Sequence, residues 1–154
     1  MGSDLTSLFD RVDVRADVLA RCQRDVLAQL ARHAARSFAQ SEGILLDELM
    51  QRERLGSTGI GRGVAIPHAM AEVPHVRGVF FSLKRPVDFD AVDDVPVDLV
   101  VMLLAPRGDD AGHLKALSRV ARRLRTEEVQ GALRSARTDA DLYENLTQAA
   151  RVAA

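Results

Sequence analysis

Apolar residues recur at helical spacing in several stretches and run together in two others, and this pattern lays out the chain. Cys22, Val26, Leu27, Leu30, Ala31 and Ala34 share one face of a helix whose other face carries Arg24, Gln29 and Arg36. On that face Cys22 is expected to pack as a small core residue. Gln40-Ser41-Glu42-Gly43 breaks the helix. Ser41 is placed to cap the next one, which runs through Ile44, Leu45, Glu48, Leu49 and Arg52 to Arg54 and Leu55 until Gly56 stops it. Gly78 to Leu83 reads as a strand ended by Pro86, and the almost unbroken apolar run Val97 to Ala105 as a central strand covered on both faces. Asp88, Asp90, Asp93 and Asp94 between them form a solvated acidic hairpin with no calcium-loop spacing.

A later helix has the stripe Leu114, Leu117, Val120, Ala121 and Leu124, and two more follow, Glu127 to Ser135 after Thr126 and Asp139 to Thr147 after Thr138. At the front, Leu5 to Phe9 allows a short helix capped by Ser3 or Asp4, and residues 12 to 20 suit a strand or a helix start. The tail 149–154 is expected to fray. Strands alternating with helices, one strand apolar throughout, predict an α/β fold: a central mixed sheet with helices on both faces.

The chemistry gathers between Glu53 and Ala69. Four glycines, Gly56, Gly59, Gly61 and Gly63, make a regular element between Leu55 and Val64 unfavourable and let the backbone approach a ligand closely. A short buried strand, Val64 to Ile66, follows, and Pro67, having no N–H, is expected to end it and deliver His68 into a loop, Met70 to Val76. A neutral imidazole beside backbone N–H groups, the Ser57 and Thr58 hydroxyls and a guanidinium, Arg54, is a place where a phosphoryl group can land. Residue types alone favour the blander reading of His68 as a structural histidine. With Asp110 as cap, His113 falls in the first turn of its helix, where free N–H groups and the helix dipole attract anions. His33, late in its helix, needs no function.

Composition narrows the classes. The 154 residues suit one domain, 1–154, with its core over about 5–147, and the net charge of −1 argues against nucleic acid or anionic lipid as partners. Cys22 is the only cysteine, so no internal disulfide is possible. No apolar run reaches a membrane span and no signal peptide is evident, so a cytoplasmic protein is expected, without permease or attached downstream domain. His68 and His75 have no helix joining them across Pro74 and no cysteine or carboxylate cluster beside them, so no metal is expected.

The run Ile60-Gly61-Arg62-Gly63-Val64-Ala65-Ile66-Pro67-His68-Ala69, with Glu53 upstream, resembles the phosphorylation-site signature of the fructose/mannitol type of enzyme IIA in the bacterial phosphoenolpyruvate-dependent phosphotransferase system. The resemblance extends from about Leu5 to Tyr143. It implies a short strand near Asp17 to Ala20, a phosphoryl acceptor at His68, an arginine beside it at Arg54, and a second active-site histidine, His113, within His113-Leu-Lys-Ala-Leu. It implies phosphate contacts from the loop of Ser57, Thr58, Gly59 and Gly61, an HPr-like phosphohistidine donor and no cofactor. Met70 departs from relatives that carry a basic residue there. Arg85-Pro-Val-Asp-Phe-Asp-Ala-Val-Asp and the segment from His113 to Leu124 look most like the nitrogen-regulatory branch, whose phosphorylation state is read by target proteins. The alternatives are a sugar-specific enzyme IIA passing phosphate to a separate IIB component, and an interaction module that never carries phosphate.

Overall fold

The structure, a computed structural model, describes residues 5–148. The proposed Ser3 or Asp4 cap and the tail 149–154 lie outside the described residues. In chain order the elements are β1 (Val14–Val18), α1 (Gln23–Ser37), α2 (Glu42–Leu55), β2 (Gly59–Gly61), β3 (Val64–Ala65), β4 (His68–Ala71), β5 (Arg77–Val87), β6 (Val97–Pro106), α3 (Asp110–Arg125), α4 (Glu127–Ser135) and α5 (Asp139–Thr147). The six strands make one mixed sheet in the order β1-β5-β6-β3-β2, with β4 also paired to β6.

Alternation along the strands explains the unbroken apolar run. Val100, Met102 and Leu104 of β6, with Val79 and Phe81 of β5, pack among the buried residues of α1 and α2. Leu99, Val101 and Leu103, with Phe80, pack among those of α3, α4 and α5. Each apolar side chain of the central strands is therefore buried against one helical layer or the other, worth about 1.5–3 kcal/mol apiece.

Several boundaries differ from expectation for local reasons. Leu5 to Phe9 is a turn closed by Leu8 N–H to Leu5 O at 3.0 Å, and the first strand, Val14–Val18, begins earlier than the stretch Asp17 to Ala20 and shares only Asp17 and Val18 with it. Cys22 is exposed and stands at the start of α1 as its N-cap, so it is no core residue. The cap of α3 is Asp109, whose side chain accepts from Gly112 N, so Asp110 is the first helical residue. Pro86 lies inside β5, tolerated where the register with β6 is irregular between Ser82 and Val87.

The corrections that bear on function surround Pro67. The loop expected from Met70 opens instead with β4, which starts at His68 itself. Val64 and Ala65 face Leu99 and Val100, and His68 and Ala69 face Leu103 and Leu104, at one constant offset. Pro67 thus interrupts the ladder without shifting its register. Its carbonyl still accepts from Leu103 N at 3.0 Å. Alternation continues across the break: Ala65, Ala69 and Ala71 belong to the α1/α2 layer, Val64 and Ile66 to the other. By the same parity His68 and Met70 face α3.

The glycine-rich stretch forms a small strand, β2, joined to β3 through Arg62 and Gly63, both at positive φ (57° and 80°). Two successive positive-φ residues are what a tight hairpin turn demands. Arg134 secures it, donating to the Arg62 carbonyl at 2.7 Å and to both oxygens of Asp98. A Cβ on Gly63 would lie 2.6 Å from the Arg134 guanidinium. Gly63→Ala is expected to lower stability by about 1–3 kcal/mol, read as a lower urea midpoint at unchanged slope.

Candidate functional site

The site lies where α2 ends, β4 begins and α3 starts. The His68 ring is held at both nitrogens. Nδ1 is 2.8 Å from the carbonyl of Ile66, two residues back across the proline, and Nε2 is 3.2 Å from Nε of Arg52. A carbonyl only accepts and a guanidinium N–H only donates, so both partners demand the same tautomer: proton on Nδ1, lone pair on Nε2. Burial lowers the His68 pKa below 6.5; the bond to Ile66 opposes this, and the positive potentials of His113 and Arg52 add to it. The ring is therefore neutral near pH 7, with its nucleophilic nitrogen turned to a cation.

His113 meets the His68 ring edge to face, centroids 5.0 Å apart. It is buried, its Nδ1 lies 3.4 Å from the Met70 sulfur, and its Nε2 is buried without a hydrogen-bond partner. Burial lowers its pKa too, against the raising influence of Asp110 and Asp109. Met70, facing α3 from β4, thus occupies the nitrogen of His113 with a weak thioether contact.

The arginine against His68 is Arg52, whereas Arg54 is exposed. Two positions on a helix are about 200° apart, so the two arginines leave α2 on nearly opposite sides. Arg52 follows the buried Leu45 and Leu49 at i+7 and i+3, the spacing that marks the inward face, and this signal was available in the sequence. Arg52 also donates to the Gly56 carbonyl at 2.8 Å, closing the helix end.

The loop after Gly56 spends its polar groups on itself. The Thr58 hydroxyl and amide both bond to the Glu53 carboxylate, which also receives Gln23 Nε2 at 2.8 Å. Burial raises the pKa of Glu53, opposed first by the Thr58 bonds. The Ser57 hydroxyl donates to the Phe89 carbonyl and accepts from Gly59 N at 3.0 Å. A Cβ on Gly59 would sit 2.9 Å from that of Ala91, so only glycine fits there. Ser57 and Thr58 line the cleft beside His68, whereas Gly61 pairs with Val64 in the hairpin. Glu53 is thus the residue that fastens the loop.

In front of His68 opens a cleft of about 540 Å³, into which Arg52, Arg122 and Arg125 bring positive charge and no lining residue brings a carboxylate. An anion carrying a transferable group would be drawn to this cleft and meet Nε2 there.

The family model described as phosphoenolpyruvate-dependent sugar phosphotransferase system, EIIA 2, matches residues 7–149. The chain belongs to this family. A nitrogen regulatory protein of Bradyrhizobium diazoefficiens is 44% identical over 125 residues, covering 80% of this chain and 82% of that protein. One from Escherichia coli is 37% identical over 145 residues, covering 93% and 89%. The crystal structure of nitrogen regulatory protein IIA-Ntr from Neisseria meningitidis superposes with a TM-score of 0.85 at 29% identity, over 92% of this chain and 97% of that one. The EIIA 2 match runs through every element that shapes the site.

Because both site histidines have pKa values below 6.5, the unfolded chain binds more protons than the folded one between the lowered values and 6.5. Their contribution to stability is complete above pH 6.5 and is lost as pH falls through that window. Denaturant midpoints measured from pH 7.5 to 5 should fall on acidification, and His68→Gln should flatten the fall.

Proposed function

We propose that this chain is a phosphocarrier and regulatory protein of the nitrogen-related phosphotransferase system. It acts in the cytoplasm as one domain, takes a phosphoryl group onto His68 from an HPr-like phosphohistidine donor, and signals through its phosphorylation state to target proteins. The observation that carries this reading is the His68 ring, fixed in one tautomer by Ile66 with Nε2 turned toward Arg52. Nitrogen regulatory proteins at 37–44% identity support the regulatory branch.

Transfer follows from the geometry. The donor's phosphohistidine enters the cationic cleft, and the Nε2 lone pair attacks phosphorus as the donor's P–N bond breaks and its imidazole leaves. The product ring carries positive charge, which the Nδ1–H bond to the Ile66 carbonyl stabilises. Arg52, released from Nε2 by the new bond, turns its guanidinium to the phosphoryl oxygens. His113, with Nε2 buried and unpaired beside the acceptor ring, supplies a hydrogen bond once protonated there. Of the glycine-loop residues, Ser57 and Thr58 form the cleft wall beside the ring, while Gly59 and Gly61 shape the backbone that carries them. Such positioning is enough for a transition state that is largely metaphosphate-like.

Incubation with a phosphorylated HPr-type donor should place labelled phosphate on His68, and His68→Ala should carry none. Arg52→Ala should slow transfer by about 10²–10³-fold, the scale of losing one charged stabiliser, while Arg54→Ala should change it less than about twofold. Label persisting in His68→Ala, or equal losses for the two arginine variants, would overturn the assignment.

A further inference from the structure

A second cationic concavity lies at the far edge of the sheet. Its walls are β1, α1 and the start of α5, it holds about 350 Å³, and three arginines converge on it: Arg15 from the strand, Arg32 and Arg36 from the helix. Between β1 and β4 stand β5 and β6, so this pocket is separate from the cleft at His68. Arg32 and Arg36 are one helical turn apart, where like charges weaken a helix. Arg15 and Arg36 form no ion pair among the described residues, and Arg32 makes only an exposed contact with Glu42 at 3.5 Å.

The remaining polar groups of the pocket are already bound. Gln29 Nε2 donates to the Leu19 carbonyl at 2.9 Å. The only carboxylate in the lining, Asp139, accepts from Ala16 N at 2.7 Å and so caps the open edge of β1. His33 gives Nε2 to buried Asp13 at 2.7 Å and sets its ring edge-on to Phe81. Asp13 keeps one buried oxygen without a hydrogen bond and also takes Ser37 Oγ at 2.5 Å, so that cluster fixes the His33 ring as a rigid wall. Phe81 and Val18 supply an apolar floor beneath the guanidinium groups.

We infer that this pocket binds a small phosphate-bearing metabolite, its phosphate held by the forks of Arg15, Arg32 and Arg36 and its organic part laid against Phe81 and Val18. Guanidinium forks from two elements fit an oxyanion of more than one charge. The volume lies in the range of small-molecule sites. The inference does not depend on phosphoryl transfer at His68.

The test is an amide and arginine Nε–H titration of the full chain by nuclear magnetic resonance. Pyrophosphate is the probe, with inorganic phosphate, citrate and sodium chloride as separate arms at matched ionic strength. Saturable shifts at Arg15, Ala16 and Arg36, retained in His68→Ala and weakened about tenfold or more in Arg15→Gln/Arg36→Gln, are expected. Inorganic phosphate should shift the same signals more weakly. Three results would each overturn the inference: shifts that follow chloride without saturating, shifts confined to residues around His68, or citrate binding as tightly as pyrophosphate. The wild-type arms decide it even if the double variant folds poorly.

Discussion

The hydrogen bond from His68 Nδ1 to the Ile66 carbonyl is the constraint on which the rest of the site depends. It exists because Pro67 interrupts the ladder between β3 and β4 without disturbing their common register on β6. The interruption turns the Ile66 carbonyl to a side chain two residues on. The preserved register keeps His68 on the sheet face that looks at α3, so that His113 comes against the ring. A proline that truly ended the strand would leave the imidazole on a loop with neither tautomer nor direction fixed. Here a central sheet buried on both faces holds the imidazole, the rigid support that positioning chemistry requires.

Around this bond the charges are arranged to one purpose. Burial and neighbouring positive potential keep His68 neutral. Arg52, Arg122 and Arg125 give the cleft a positive sign with no opposing carboxylate in its lining. Glu53, the chain neighbour of Arg52, is turned inward to Thr58 and Gln23, where it fixes the loop instead of cancelling the field. The Met70 thioether leaves His113 with a weak, uncharged contact. A cation at that position would repel protonation of His113, so the neutral sulfur leaves it freer to gain a proton.

Much of this was legible in the sequence. The layered α/β architecture followed from β6, apolar at nearly every position, and from the amphipathic stripes of α1 and α3, because burial on two faces and on one face leave different periodicities. The meeting of His68 and His113, whose ring centroids lie 5.0 Å apart, was legible through the signature and through the placement of His113 in the first turn of its helix. What escaped was set by tertiary context. Gly59 to Gly61 pairs as a strand despite its glycines because β3 lies alongside and Arg134 clamps the turn. His68 opens β4 because β6 supplies a ladder on which Pro67 costs a single N–H. Arg54 is the arginine nearer the loop along the chain, whereas helical geometry selects Arg52, in phase with Leu45 and Leu49. Cys22 continued the apolar stripe of α1 in sequence, yet it sits at the N-cap, where the backbone has left the helix and the stripe no longer points inward.

The central claim is that Ile66 holds the Nδ1 proton and leaves Nε2 to carry the phosphoryl group. Long-range ¹H–¹⁵N correlation spectra of the His68 ring, recorded before and after phosphorylation, test it directly. The account predicts a ring protonated at Nδ1 in the free protein and phosphorus coupling to Nε2 in the modified one. Phosphorus coupling to Nδ1, or a free ring protonated at Nε2, would contradict it.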